Sequence, residues 1–259
     1  MKAQQRSNGN RRISRLGLVL ALTGFIFLGL SSTPRAEAQT SGPLSQYKDN
    51  VHLIYIVARY SVPTGTVLVL DGATTATAIR SMRGETFYLI EKDHVDPQYF
   101  YRERQVPTGT FLSFVFFVDK FDLVSLLRGS SGDPFEVFKV SDHYAVLREL
   151  RTRNLPDVEI ASDPQESESA IILLSKGRDN PPTFTETPIT ISQAPADSRL
   201  FFIALAQTEE QDTHGAPVFV QREGAWRLAG IRVAHGRSTQ ADQSAVAKLP
   251  SLDELTSKP

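Results

Sequence analysis

The sequence contains no cysteine, and its 259 residues include only one tryptophan and two methionines. Without cysteine the protein forms no disulfide bond and carries out no thiol chemistry. Its stability therefore depends on its hydrophobic core, and a chain of this length is long enough to bury a sizeable one.

The chain also lacks the motifs of several large enzyme classes. No HExxH segment, Walker loop or dinucleotide-binding glycine fingerprint is present. The acidic segment "SDPQESESA" (162–170) is too short and too irregular for a calcium loop. The sequence therefore gives no indication of an HExxH zinc protease, a nucleotide-binding enzyme of these types or an EF-hand protein.

The first 38 residues have the composition of an export signal. Residues 1–15 are basic with no acid, and "LGLVLALTGFIFLGL" (16–30) is apolar but short for a membrane span. Ala36, Glu37 and Ala38 form the small-x-small pattern that signal peptidase cuts. We predict a signal peptide over residues 1–38, cleavage near Ala38, and an exported protein, periplasmic or secreted, without a membrane segment after cleavage. The pair "RR" at 11–12 leaves the twin-arginine export route open beside the general one.

The rest of the chain, residues 39–259, is mildly acidic. It holds 22 basic and 28 acidic residues, so its net charge is about −6. A body of this charge offers no basic surface for phosphate backbones, and we predict that it does not bind nucleic acid.

From residue 51 onward the pattern is that of short strands. "VHLIYIVARY" (51–60), "TFYLIE" (86–91) and "LFFIALA" (200–206) are rich in β-branched and aromatic residues, and turn clusters such as "SVPTG" separate such segments. Helical periodicity is missing except in "DQSAVAKL" (242–249), which suggests a short helix. Ten or more short strands with frequent turns predict an all-β fold of antiparallel barrels or a sandwich.

A loop-like stretch near residues 150–165 divides the strands into two similar halves. We therefore predict a linker over 39–50, an N-terminal β-barrel over 51–155, a C-terminal β-barrel over 156–242 and a tail over 243–259. A small-molecule or peptide ligand is expected in the cleft between the two barrels.

Three segments, in this order, resemble those that carry the catalytic triad of the chymotrypsin/trypsin-like peptidases in their compact bacterial form. "TFYLIEKDHV" (86–95) resembles the strand that ends at the catalytic histidine, and "VFKVSDHYAVLREL" (137–150) the strand that opens with the catalytic aspartate. "QDTHGAPVF" (211–219) resembles the serine loop. The resemblance covers roughly residues 50–240. It implies two antiparallel six-stranded-type β-barrels with an active cleft between them and a short C-terminal segment.

The resemblance places a histidine at each of the three catalytic positions. His94 takes the place of the general base, His143 that of the aspartate and His214 that of the serine. An imidazole cannot replace the hydroxyl nucleophile of that mechanism. Asp212 stands where the family usually has the glycine of the oxyanion-binding loop, and its charge opposes a developing oxyanion. We therefore expect no ordinary serine-protease catalysis.

Three histidines at three catalytic positions suggest a metal site. Three imidazole nitrogens around Zn²⁺, with a fourth position open to water, are the arrangement that catalytic zinc uses. Such a metal lowers the pKa of its bound water and supplies hydroxide for hydrolysis or hydration. We predict that His94, His143 and His214 bind Zn²⁺ or another divalent transition metal.

Several alternatives remain open for individual residues. Asp122 or Asp142 competes with His143 for the acid position, and Thr213 competes with His214 for the nucleophile position. His235 is a possible additional ligand. His52, in the first strand, is expected to be structural.

These alternatives lead to three hypotheses about function. The first is a metal-binding protein or metal-dependent hydrolase or lyase on the protease scaffold. The second is a pseudoprotease, catalytically inactive, that binds a peptide or protein partner. The third is a serine-type peptidase with a non-standard nucleophile. Convergence of the three imidazoles would support the first hypothesis. If His143 points away and Asp122 or Asp142 faces His94, the second is favoured.

Overall fold

The computed structural model describes residues 42–62, 65–96, 111–118, 135–151, 153–176, 183–196, 198–205, 213–234 and 243–258. Residues 39–259 belong to one compact unit. The predicted signal over 1–38, the predicted acid Asp122, the loop residue Asp212 and the possible ligand His235 all lie outside the described residues.

The first half of this unit forms a six-stranded antiparallel sheet in the order β4-β1-β2-β3-β6-β5. Its strands are β1 (Val51–Val62), β2 (Gly65–Arg80), β3 (Thr86–Glu91), β4 (Phe111–Phe117), β5 (Phe135–Val140) and β6 (Tyr144–Glu149). A 3₁₀ helix precedes β1 and a second one follows β3, over Ser45–Asn50 and Lys92–Val95.

The second half forms a closed six-stranded barrel in the order β10-β11-β12-β9-β8-β7. Its strands are β7 (Ser169–Lys176), β8 (Thr183–Gln193), β9 (Leu200–Ala204), β10 (Pro217–Arg222), β11 (Ala225–Val233) and β12 (Gln243–Lys248). One short α-helix, α1 (Leu252–Thr256), follows the last strand, and the hydroxyl of Ser251 caps it by accepting a hydrogen bond from the backbone N–H of Glu254.

The two halves share one pairing scheme. In each set of six, the first strand pairs with the second and the fourth, the second with the third, the third with the sixth, and the sixth with the fifth. In the second half the fourth strand also pairs with the fifth, which closes the barrel. The all-β fold of two six-stranded barrel-like units, predicted from the strand pattern and the family resemblance, is confirmed.

Buried apolar side chains form three large clusters. One lies within the first sheet and one within the barrel, where Ile172, Phe201 and Val246 are fully or nearly fully buried. The third joins the two halves, because Phe87 of β3 and Ile231 of β11 belong to the same cluster. Burial of this apolar surface is the main force that holds the two halves together.

The predicted boundaries at the two ends differ from the observed ones. The short helix suggested over 242–249 is wrong, since Gln243–Lys248 is β12 and pairs with β9 and β11. The strands of the barrel thus continue past residue 242. The small side chains of β12 suit a helix in isolation, but in the barrel they allow close packing, and the backbone completes the barrel's hydrogen bonds. The predicted linker also packs on the core, with Leu44 and Tyr47 buried.

No helix among the described residues is long and apolar enough to span a membrane.

Candidate functional site

The candidate site begins at the end of β3. All six residues of this strand are buried, because β3 lies between β2 and β6 near the middle of the sheet. Its last residue is Glu91, which is only 3% exposed. The 3₁₀ helix that follows carries His94 three residues later. A carboxylate and an imidazole thus stand on one rigid element at the end of the sheet.

The loop before β10 carries His214 and is held by its own backbone. The N–H of Gly215 donates to the carbonyl of Arg232 (2.8 Å), and the N–H of Arg232 donates to the carbonyl of Ala216 (2.8 Å). Gly215 has a φ of 83°, a conformation that favours glycine. A Cβ at this position would also collide with the carbonyl oxygen of Thr75 in β2. Glycine here allows the loop to lie directly against the first sheet.

Two threonines of β2 fix the same loop from the other side. The hydroxyl of Thr74 donates to the carbonyl of His214 (3.0 Å), and that of Thr77 donates to the carbonyl of Gly215 (3.3 Å). Both threonines are fully buried. The loop that resembles the serine loop is therefore anchored to both halves of the protein.

Glu91 connects the two halves at the centre of the site. Its Oε2 lies 3.0 Å from Nδ1 of His214 and 4.0 Å from Nε2 of His94. Its Oε1 accepts a hydrogen bond from the backbone N–H of Ala234, which directly follows β11. The side chains of His94 and His214 are 18% and 17% exposed, so both imidazoles border the surface while the carboxylate does not.

Burial alone would raise the pKa of Glu91, since it disfavours the charged form. The hydrogen bond from His214, the charges of His214 and His94, and the N–H of Ala234 together outweigh burial, and the pKa of Glu91 is lowered. The carboxylate is therefore ionised at neutral pH and can hold an imidazole N–H.

Thr213, the alternative nucleophile, is enclosed. It is 3% exposed, and its hydroxyl accepts a hydrogen bond from the guanidinium of Arg232, which is itself 3% exposed. This hydroxyl is therefore buried and paired with a buried guanidinium.

His143 lies beside the same 3₁₀ helix through its backbone, since its carbonyl accepts a hydrogen bond from the N–H of Lys92 (3.2 Å). This register agrees with its predicted place at the start of β6. His143 also lines a surface hollow of about 470 Å³ together with Asp142 and Arg199. The carboxylate of Asp142, the alternative acid, forms an exposed ion pair with Arg199 (2.8 Å).

The predicted three-histidine metal site has no support in the described part of the chain. Its residues contain no group of three or more histidine, aspartate or glutamate side chains arranged to hold a metal ion. The structure joins His94 and His214 through Glu91 instead. Zinc binding by His94, His143 and His214 stays a prediction, and titration of the purified protein with Zn²⁺ would test it.

Glu91 is the site residue that the sequence reasoning missed. The sequence contained a signal for it. Glu91 ends an otherwise uncharged strand, three residues before a candidate catalytic histidine, and burying a carboxylate there without a partner costs folding free energy. That partner, His214, is 123 positions away, and only the packing of the two halves reveals it.

No family model matches the sequence, and no curated protein matches it. Among solved structures it is similar to the Rv3671c protease of M. tuberculosis in its active form, at 14% identity and a TM-score of 0.47, covering 83% of each chain. It is also similar to the NS6 protease from murine norovirus 1, at 14% identity and a TM-score of 0.44, covering 82% of this chain and 95% of that one.

Proposed function

We propose that this protein is an exported pseudoprotease: a trypsin-like fold without serine-type peptidase activity, which binds a peptide in the region between its two six-stranded units. The proposal rests on one observation. His214, at the position where the resemblance expects the nucleophilic serine, has its Nδ1 3.0 Å from the buried carboxylate of Glu91.

This contact changes what the position does. In the serine mechanism the nucleophile passes its proton to a histidine that a carboxylate holds in place. Here the nucleophile position itself holds the imidazole, and the loop around it is anchored by Thr74 and Thr77. The residues therefore tie the two halves together and keep a fixed surface at their junction, as a binding site requires.

A peptide is the ligand that we favour, since the resemblance is to enzymes that act on extended chains. The site borders the surface through the partly exposed rings of His94 and His214. These rings can donate and accept hydrogen bonds with a peptide backbone.

The test uses residues 39–259, which belong to one compact unit. We expect no labelling by a fluorophosphonate probe and no cleavage of a random peptide library. We expect some library members to bind intact and to slow hydrogen exchange at residues 86–96 and 213–218. Labelling or cleavage by the purified protein would contradict the proposal, as would protection confined to other segments.

Export is a separate part of the proposal. Expression of the full chain with a reporter fused after residue 259 should place the reporter outside the cytoplasm, with the mature protein beginning near residue 39. A reporter retained in the cytoplasm on the intact chain would argue against export.

A further inference from the structure

We infer that Glu91 and His214 form a general-base pair that activates water, and that the site hydrolyses small activated esters without a protein nucleophile. This activity goes beyond the proposed peptide binding and does not depend on it. It also inverts the roles that the resemblance implied, because the base now comes from the loop before β10 and the carboxylate from the end of β3.

A hydrogen bond joins the two groups. Nδ1 of His214 lies 3.0 Å from Oε2 of Glu91, and since a carboxylate oxygen accepts, Nδ1 is the donor. Its Nε2 is then the basic nitrogen. A buried carboxylate that selects one tautomer of a histidine is the arrangement that prepares imidazole for general-base catalysis.

Hydrogen bonds hold both members of the pair in place. Oε1 of Glu91 is held by the N–H of Ala234, and the backbone of His214 is held by the hydroxyl of Thr74. Both residues are thus fixed by hydrogen bonds from the opposite half of the protein. A base with little freedom of movement loses less entropy when it reaches the reacting geometry.

The two side chains of the pair differ in their exposure to solvent. The carboxylate side chain is 4% exposed, whereas the imidazole of His214 is 17% exposed. The charge that stabilises a protonated imidazole is therefore shielded from water, while the ring itself borders the solvent. His94 lies 4.0 Å from the same oxygen and places a second imidazole beside the carboxylate.

The reaction balances without a cofactor. Nε2 of His214 removes a proton from water while the water oxygen forms a bond to the ester carbonyl carbon. The resulting tetrahedral intermediate then collapses, the bond from carbon to the leaving oxygen breaks, and the imidazolium returns its proton to the leaving group or to solvent. Aryl esters of short acids are the expected substrates, because their leaving groups need little further activation.

The experiment measures hydrolysis of p-nitrophenyl acetate by residues 39–259. Positioned general-base catalysis contributes about 100-fold or more, so His214→Gln should lower kcat/KM by about that factor. The glutamine amide can still donate to Glu91, so the loop keeps its anchor while the base is lost. Glu91→Gln should produce a comparable loss. Glu223→Gln, at a carboxylate that is 84% exposed and pairs with Arg227, should change nothing.

A structural role alone would not alter the solvent isotope effect. We expect the wild type to react more slowly in D₂O, and this isotope effect to disappear in His214→Gln. A wild-type rate equal to that of His214→Gln would overturn the inference. So would an acetylated His214 in mass spectra with no isotope effect, since the imidazole would then be a nucleophile. Peptide binding, measured on the same variants, reports separately on the proposed function.

Discussion

Acid should destabilise this protein through His52, which lies in β1 and pairs with Ala76 of β2. Its ring packs edge-on against Tyr88, with the ring centroids 5.3 Å apart. Its Nε2 is enclosed and has no hydrogen-bond partner within the described structure. Burial, reinforced by the positive charge of Arg153, lowers the pKa of His52 to about 4, although a backbone hydrogen bond at Asp49 acts the other way.

The sign of the effect follows from proton uptake. In the unfolded chain His52 binds a proton near its ordinary pKa of 6.5, whereas in the folded protein it stays neutral until about pH 4. Between these values the unfolded state holds more protons, so stability falls as the pH is lowered. The difference in pKa corresponds to about 3 kcal/mol, which is an upper value because the residue as a whole is only half-buried.

The assay is urea unfolding of wild type and His52→Phe between pH 7.5 and pH 4. Phenylalanine keeps a ring beside Tyr88 but does not titrate. Other groups contribute to acid sensitivity in both proteins, so the quantity of interest is the difference in unfolding free energy between them. That difference should shift in favour of the variant by about 2–3 kcal/mol over this range. Parallel curves for the two proteins would refute the reasoning.

Three further predictions concern residues that connect or support the two halves. Glu91→Gln should destabilise the fold by about 2 kcal/mol, because a neutral amide replaces the buried carboxylate that accepts hydrogen bonds from His214 and Ala234. A double-mutant cycle with His214→Ala should show coupling of at least about 1 kcal/mol, and additive effects in urea unfolding would contradict this. Gly215→Ala should lower the free energy of unfolding by at least about 2 kcal/mol more than Gly224→Ala does, because both glycines have positive φ but only Gly215 lies against backbone of the other half. Equal losses in urea unfolding would show that this contact is unimportant. Tyr88→Phe should lower the free energy of unfolding by about 1–2 kcal/mol, because it removes a buried hydroxyl that donates to Oε2 of Glu149 at 2.9 Å. An unchanged melting curve would argue against a contribution from that hydrogen bond.

Much of the fold was predictable because strand signals are local. The β-branched and aromatic segments at 51–60 and 86–91 are strands in the structure. The segment over 242–249 was misjudged, since alanine, serine and lysine favour a helix when packing is ignored. In β12 the neighbours β9 and β11 override that preference through their backbone hydrogen bonds.

The candidate site was predictable in part. The resemblance singled out His94 and His214, and these two imidazoles do meet at one place. The group that joins them was missed, because the local signal at Glu91 does not reveal that its carboxylate is buried or which distant group pairs with it. Its burial depends on β6, β11 and the loop before β10 closing around it.

The sequence by itself determined the all-β character of this protein and the absence of disulfides, since each depends on residue type and local spacing. Tertiary structure decided which group His214 contacts. Only when β3 of the first sheet packs beside β11 of the barrel does the carboxylate of Glu91 come within 3.0 Å of an imidazole 123 positions away. This contact depends on the folding of the whole chain. A buried carboxylate is costly unless it is paired, and the imidazole that pairs with Glu91 comes from the opposite half of the protein.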